Sequence, residues 1–231
     1  MNMSYIKIKD LIARYKRKIA FAYRLYIKKD PSLQVAYKWF KDRGDTTLRL
    51  NYPLNENSIV FDLGGFEGDF ADQIYKKFKS QVYIFEPVRR YYAECSARFA
   101  VNPKIHCFGY GLSNVDGEFP ISNEQNGSSL IKNNTADNLE IVMVRNFSKV
   151  LPELGVGKID LLKLNIEGAE FDLLNHVIDC GLIANIKYLQ VQFHDFYPNA
   201  QTLRDEIRKK LAKTHKEQWN YPFVWESWQL A

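Results

Sequence analysis

The sequence predicts an α/β protein: a mostly parallel sheet with helices on both faces, preceded by a basic helical extension. Three observations carry this. From residue 58 onward, short apolar runs rich in β-branched and aromatic residues alternate with segments of helical period. The first of these runs ends in a glycine turn, Val60-Phe61-Asp62-Leu63-Gly64-Gly65-Phe66-Glu67-Gly68. Residues 1–50 carry 13 Lys and Arg against 4 Asp and Glu, whereas residues 51–231 carry 19 against 23. The basic excess therefore belongs to an extension, 1–50, and a main domain spans 51–231.

Each element follows from its pattern. Over residues 3–29, Tyr5, Ile8, Ile12, Tyr15, Ile19, Ala22 and Tyr26 recur at gaps of three and four, one face of a helix. Asp30-Pro31 ends it, and a second short helix over 32–42 stops at Arg43-Gly44-Asp45. Residues 58–63 read as a strand, 68–79 as a helix, 81–85 as a strand, 88–100 as a helix and 104–108 as a strand. Residues 111–146 break the rhythm with Asp116-Gly117, Asn126-Gly127 and Asn133-Asn134, and predict an inserted hairpin with strands at 118–121 and 139–145. The alternation resumes with a strand at 158–165, a helix at 168–179 closed by Gly181, a strand at 186–194 and a helix at 200–213. The aromatic tail, 219–230, predicts one or two closing strands.

Composition sets outer limits. The 231 residues are 46% hydrophobic and 26% charged, which excludes disordered and low-complexity classes and suffices for a core without staples. Cys95, Cys107 and Cys180 are too few and too scattered for a disulfide framework. The sequence has no C-x-x-C pair, so neither a structural zinc nor another metal site is expected. No apolar run approaches the ~20 residues of a membrane span. Polar residues run throughout 1–10, which show no signal-peptide core. A cytoplasmic protein with reduced thiols is the expectation.

Four segments carry chemistry. The glycine turn at Gly64, Gly65 and Gly68 lets a ligand approach the backbone at a helix N-terminus. It is not the dinucleotide fingerprint, which would need glycine at Phe66 and Asp69. Glu86 ends the next strand as Phe85-Glu86-Pro87, where an acidic side chain accepts from both hydroxyls of a ribose. Asn165 and Glu167 interrupt the apolar stretch Lys163-Leu164-Asn165-Ile166-Glu167-Gly168-Ala169-Glu170. His194 follows the next strand in Gln190-Val191-Gln192-Phe193-His194-Asp195. All four fall at the carboxyl edge of a parallel sheet, where such folds bind ligands. A nucleoside cofactor is the reading they share. The plain alternatives are a strand–helix turn for the glycines, first-turn helix carboxylates for Glu167 and Glu170, and a structural histidine.

With these residues in place, the chain resembles the FkbM family of class I methyltransferases from about Ser58 to His194. The resemblance rests on Phe61-Asp62-Leu63-Gly64-Gly65 with Gly68, on Phe85-Glu86-Pro87, on Gly111-Leu112-Ser113 with Asp116-Gly117, on Ser128-Ser129-Leu130, and on Lys163 to Glu170. It implies a Rossmann-like sheet of seven strands with one antiparallel strand near the C-terminus. It also implies S-adenosylmethionine as cofactor and O-methylation of a sugar or polyketide hydroxyl. Under it, Gly64, Gly65 and Gly68 hold the methionine end of the cofactor. Asp62 supports the turn or receives the amino group, Glu86 takes the ribose, and Gly109 to Ser113, with Gly111 and Ser113, flank the adenine. Asn165, Glu167 and His194 face the acceptor, with His194 the candidate general base and Glu167 its competitor. The family usually has Asp at the position of Asn165, so a negative charge is missing there. The amide- and hydroxyl-rich loop from Ser122 to Thr135 suits a sugar or glycan acceptor, as in polysaccharide biosynthesis. Competing readings are a non-catalytic scaffold, a methyltransferase for a non-carbohydrate hydroxyl, and an NAD-type oxidoreductase.

The extension lies outside the resemblance. Its seam and basic flanks are compatible with packing on its own domain, with a homodimer through the seam, or with peripheral contact at the anionic inner face of a membrane. Nucleic acid is not expected as a partner, because no reading motif accompanies the basic residues.

Overall fold

The computed structural model describes residues 15–122 and 139–231. The chain divides into two compact units, residues 1–48 and 49–231. Residues 3–14 of the expected first helix, and the Ser128-Ser129-Leu130 motif with most of its loop, lie outside the described residues.

In the first unit, residues 15–22 are helical and run into a π-helical turn, Tyr23–Ile27. The expected helix thus ends two residues early, and Lys29 takes a positive φ of 51° before the proline. Helix α1, Pro31–Lys41, starts where Asp30 accepts from the Leu33 amide at 3.3 Å and Pro31 supplies a pre-set φ. A short helix α2, Gly44–Thr47, was not expected; Trp39 is buried and donates to Asp45 at 3.3 Å across that corner.

The second unit is built on seven strands in the order β3-β2-β1-β7-β8-β10-β9. These are β1 (Ile59–Leu63), β2 (Gln81–Phe85), β3 (Ile105–Phe108), β7 (Ile159–Leu164), β8 (Ile186–Val191), β9 (His215–Tyr221) and β10 (Trp225–Leu230). All neighbours are parallel except β10, which runs against both β8 and β9. This is the Rossmann-like class I methyltransferase arrangement, and the aromatic tail closes it as a hairpin. Strand β1 is apolar on both faces save for Asp62, as a parallel strand covered twice must largely be. Val60, with Val82, Ile84 and Leu161, packs towards α3 (Asp69–Phe78) and α4 (Arg89–Phe99). Phe61 and Leu63, with Phe85, Leu162 and Leu164, pack on the other face against α5 (Phe147–Glu153), α6 (Glu170–Asp179) and α7 (Ala200–Leu211).

The insertion is a second sheet of three strands, β4 (Gly111–Ser113), β5 (Gly117–Ser122) and β6 (Leu139–Asn146). The middle strand β6 pairs parallel with β4 and antiparallel with β5. The sequence reading gave β5 and β6 as a hairpin but missed β4, whose three residues are too few to show a period. It also missed α5, which Asn146 caps by accepting from the Ser148 amide at 2.9 Å.

The glycine turn is held from three sides. Gly64 has φ 74°, and a Cβ there would lie 1.9 Å from the Asn165 carbonyl oxygen. From α4, Cys95 donates to the Phe66 carbonyl at 3.0 Å, and Arg98 to the Glu67 carbonyl at 2.8 Å. Replacing Gly64 with Ala is therefore expected to cost about 4 kcal/mol, combining a forbidden φ with a backbone clash. Urea unfolding measures this; a wild-type midpoint would show that the β1 and β7 ends part freely.

Candidate functional site at the carboxyl edge of the sheet

The carboxyl ends of β1, β2 and β7 open into a cavity of about 350 Å³. Its floor is Gly64, Glu86, Asn165 and Glu167; Val88 and Tyr91 form one wall; Ile121, Val142 and Val144 of the small sheet form the roof. The roof exists because β6 alternates: Val142 and Val144 are buried, while Ile141 and Met143 point out and are about half exposed. The cavity size is that of a small-molecule site.

Glu86 is almost fully buried. Its Oε1 accepts from the Val88 amide at 2.9 Å and its Oε2 from the Phe66 amide at 2.8 Å. Burial pushes its carboxyl up to about 7, although both amides and the Lys163 ammonium oppose the shift. Each oxygen keeps a lone pair for a further donor. Phe66 and Glu167, both lining the cavity, hold left-handed backbone (φ 51° and 54°) without being glycine. Strain of this kind costs roughly 1–3 kcal/mol per residue and gathers at functional sites.

Asn165 Oδ1 is buried and has no hydrogen-bond partner among the described residues. It stands at the floor beside Gly64 as an acceptor open to a ligand donor. No Lys, Arg or His lines the cavity among the described residues, but two carboxylates do.

Of the residues singled out from sequence, Gly64, Glu86, Gly111, Ser113, Asn165 and Glu167 line this cavity. Asp62, Gly65, Gly68 and His194 do not. Asp62 points to the α3–α4 side of the sheet, where its Oδ1 pairs with the Lys163 ammonium at 2.8 Å. Lys163 also donates to the carbonyls of Gly64 (2.8 Å) and Leu63 (3.3 Å). Asp62 thus reaches the turn through Lys163. Burial lowers the Lys163 ammonium from its ordinary value, against the pull of Asp62. Gly65 is buried against Ile84, and Gly68 (φ 82°) caps α3 hard against Phe99; both serve packing instead of opening onto the cavity.

His194 sits just outside the floor. Its Nδ1 is 2.8 Å from Glu170 Oε1, which also accepts the His194 amide at 2.9 Å. Glu170 Oε2 accepts the Gly168 amide at 2.8 Å, and the carboxylate is wholly buried. On the other side, His194 Nε2 lies 3.6 Å from Glu167 Oε2. Burial alone would lower the imidazole's affinity for a proton. The hydrogen bond and charge of Glu170, then the charges of Glu167 and Asp195, outweigh it and hold the group above its ordinary value. Glu167 thus connects His194 to the cavity. Sequence reasoning treated Glu170 only as a first-turn helix carboxylate and gave Lys163 no role. The second had a signal: Lys163, the register partner of Asp62, is a lone cation among Leu161, Leu162 and Leu164. Among the described residues no group of acidic, His or Cys side chains is placed to hold a metal ion.

A twice-covered parallel sheet with a cavity at the carboxyl edge, beside a glycine turn and an acidic strand end, is the layout in which α/β folds bind ligands. The chain belongs to the FkbM methyltransferase domain family, whose pattern it matches over residues 58–223. It is 26% identical over 205 residues to the AMB antimetabolite synthetase AmbE of Pseudomonas aeruginosa. That match takes in 70% of this chain and only 10% of AmbE, so the chain spans about a tenth of that protein. Similar solved structures include an rRNA methylase from Streptococcus thermophilus (12% identity, TM-score 0.45, 77% of this chain and 89% of that one). Another is fibrillarin from Aeropyrum pernix with natively bound S-adenosyl-L-methionine (10% identity, TM-score 0.47, 81% and 71%).

Proposed function

We propose that this protein transfers a methyl group from S-adenosylmethionine to a hydroxyl of a sugar or glycan. One observation carries the cofactor reading: the cavity offers two carboxylates and an open amide oxygen, and no cationic side chain among the described residues. Such a lining accepts hydroxyl and ammonium donors and favours a positively charged ligand. It is unsuited to a pyrophosphate, which needs amide or cationic donors. S-adenosylmethionine has a ribose diol, an ammonium and a sulfonium, and fits.

Under this reading Glu86 accepts the ribose hydroxyls, Gly111 and Ser113 border the adenine, and Asn165 Oδ1 takes a donor near Gly64. The cofactor, when bound, supplies an electrophilic methyl and its own leaving group. The protein's remaining work is to align the acceptor and remove its proton. His194 is suited to the second task. With Nδ1–H donated to Glu170, Nε2 is left as the proton acceptor, facing Glu167 at the cavity floor. Asn165, an amide, is not called upon as a base. The sugar half of the reading is supported by the composition of residues 122–135, rich in Asn and Ser.

Incubation with methyl-tritiated S-adenosylmethionine and a panel of free and lipid-linked sugars tests it. Label is expected in an alkali-stable ether on a sugar. Label confined to a non-carbohydrate hydroxyl would overturn the acceptor, and failure to bind S-adenosylhomocysteine would overturn the cofactor.

A further inference from the structure

We propose that the N-terminal unit is a docking element for an anionic membrane surface. Tyr15, Ile19, Tyr23 and Tyr26 follow one another at helical spacing, and all are more than half exposed, as is Ile27. Leu25 is buried on the helix's packed side, and Phe21 and Tyr26 both lie edge-on to Tyr37 of α1, so Tyr26 forms the stripe's packed border and Tyr15, Ile19 and Tyr23 its open part. Residues 15–29 hold six basic side chains, Lys16, Arg17, Lys18, Arg24, Lys28 and Lys29, and no acidic one. At 100° per residue, Lys16 and Lys18 fall on either side of the apolar stripe.

Charge decides among the occupants of this face. A second copy brought onto the stripe would set its Lys16, Lys18, Lys28 and Lys29 beside the same four ammonium groups, while Asp30, next in the chain, is already paired with Arg24 at 2.7 Å. An anionic lipid surface meets the same cations with opposite charge and takes the apolar side chains into its interfacial layer. Tyrosines dominate the stripe, and they favour the headgroup level. No described helix is long and apolar enough to cross a membrane, so the contact is peripheral. The claim is independent of the methyl-transfer reading.

The test is flotation of the full chain with vesicles of phosphatidylcholine alone and of an equimolar mixture with phosphatidylglycerol. Binding only to the mixed vesicles, weakened by salt, is expected. Each lysine near such a surface contributes about 1 kcal/mol, so Lys16→Glu with Lys18→Glu should weaken binding at least about tenfold. Ile19→Asp should weaken it at unchanged melting temperature. Equal binding to both vesicle types, no binding to either, or binding unmoved by these variants overturns the proposal. So does a stable dimer in light scattering that the Ile19→Asp variant dissolves while vesicles are ignored.

Discussion

Replacing Glu86 with Ala is expected to weaken S-adenosylhomocysteine binding about a hundredfold. Two hydroxyl donors to a carboxylate contribute about 1.5 kcal/mol or more each, and each 1.4 kcal/mol is tenfold in affinity. The pH dependence is the sharper signature. Burial raises the free carboxyl to about 7, while a ligand that donates to it favours the ionised form. Affinity should be full above pH 7 and fall roughly tenfold per unit below it, with the slope absent in the variant. The same shift acts on stability with the opposite slope. Between the ordinary carboxyl value of 4.5 and about 7, the unfolded chain has released this proton and the folded one has not. The contribution of Glu86 is therefore neutral below that window, and about 3 kcal/mol of stability is lost as pH rises through it. Calorimetric titrations and urea unfolding across pH 4 to 9 measure both; an affinity flat through pH 7 in the wild type would remove Glu86 from the ribose role.

Replacing His194 with Ala should lower turnover roughly 10²- to 10⁴-fold, the range for loss of a general base, and leave S-adenosylhomocysteine affinity unchanged. The carboxylates hold the imidazole above its ordinary value of 6.5. Activity should thus rise with pH through a limb displaced above that value, as the ring loses its second proton. In Glu170→Gln the largest pull on that proton is gone, so the limb should move to lower pH and turnover should fall as tautomer control weakens. A purely structural Glu170 would change melting temperature and leave the limb in place. Unchanged turnover in His194→Ala would transfer the role to Glu167.

The strands and helices that face both ways into the core were legible because burial imposes a period on their residues. Val60, Phe61 and Leu63 sit in a run no exposed segment would tolerate. Strand β4 was not legible: Gly111–Ser113 is defined by pairing to β6, more than thirty residues away. The floor of the site was visible because Glu86, Asn165 and Glu167 are polar where apolar residues are expected. The roof was not, since Val142 and Val144 look like any strand until the insertion folds over. The glycine turn was read as room for a ligand. In the structure only Gly64 opens onto the cavity, and even there the nearest claim on its space is the Asn165 carbonyl. Such close approaches between distant segments leave no trace in local sequence. Nor does the partnership of Glu170 with His194, which depends on where two strand ends meet.

The ammonium of Lys163 binds Asp62 and two successive backbone oxygens, so it works as a rivet between the two middle strands. A floor fastened in this way cannot spread to admit a guest. The three-stranded canopy is held more lightly: Asp116 accepts the Asn146 amide at 2.8 Å within the small sheet itself, and Glu140 of β6 accepts the Arg89 amide of α4 at 2.9 Å. On the proposed methyl-transfer reading, exchange of product for fresh donor belongs to the piece of chain that interrupts the alternating pattern, above a sheet that stays still.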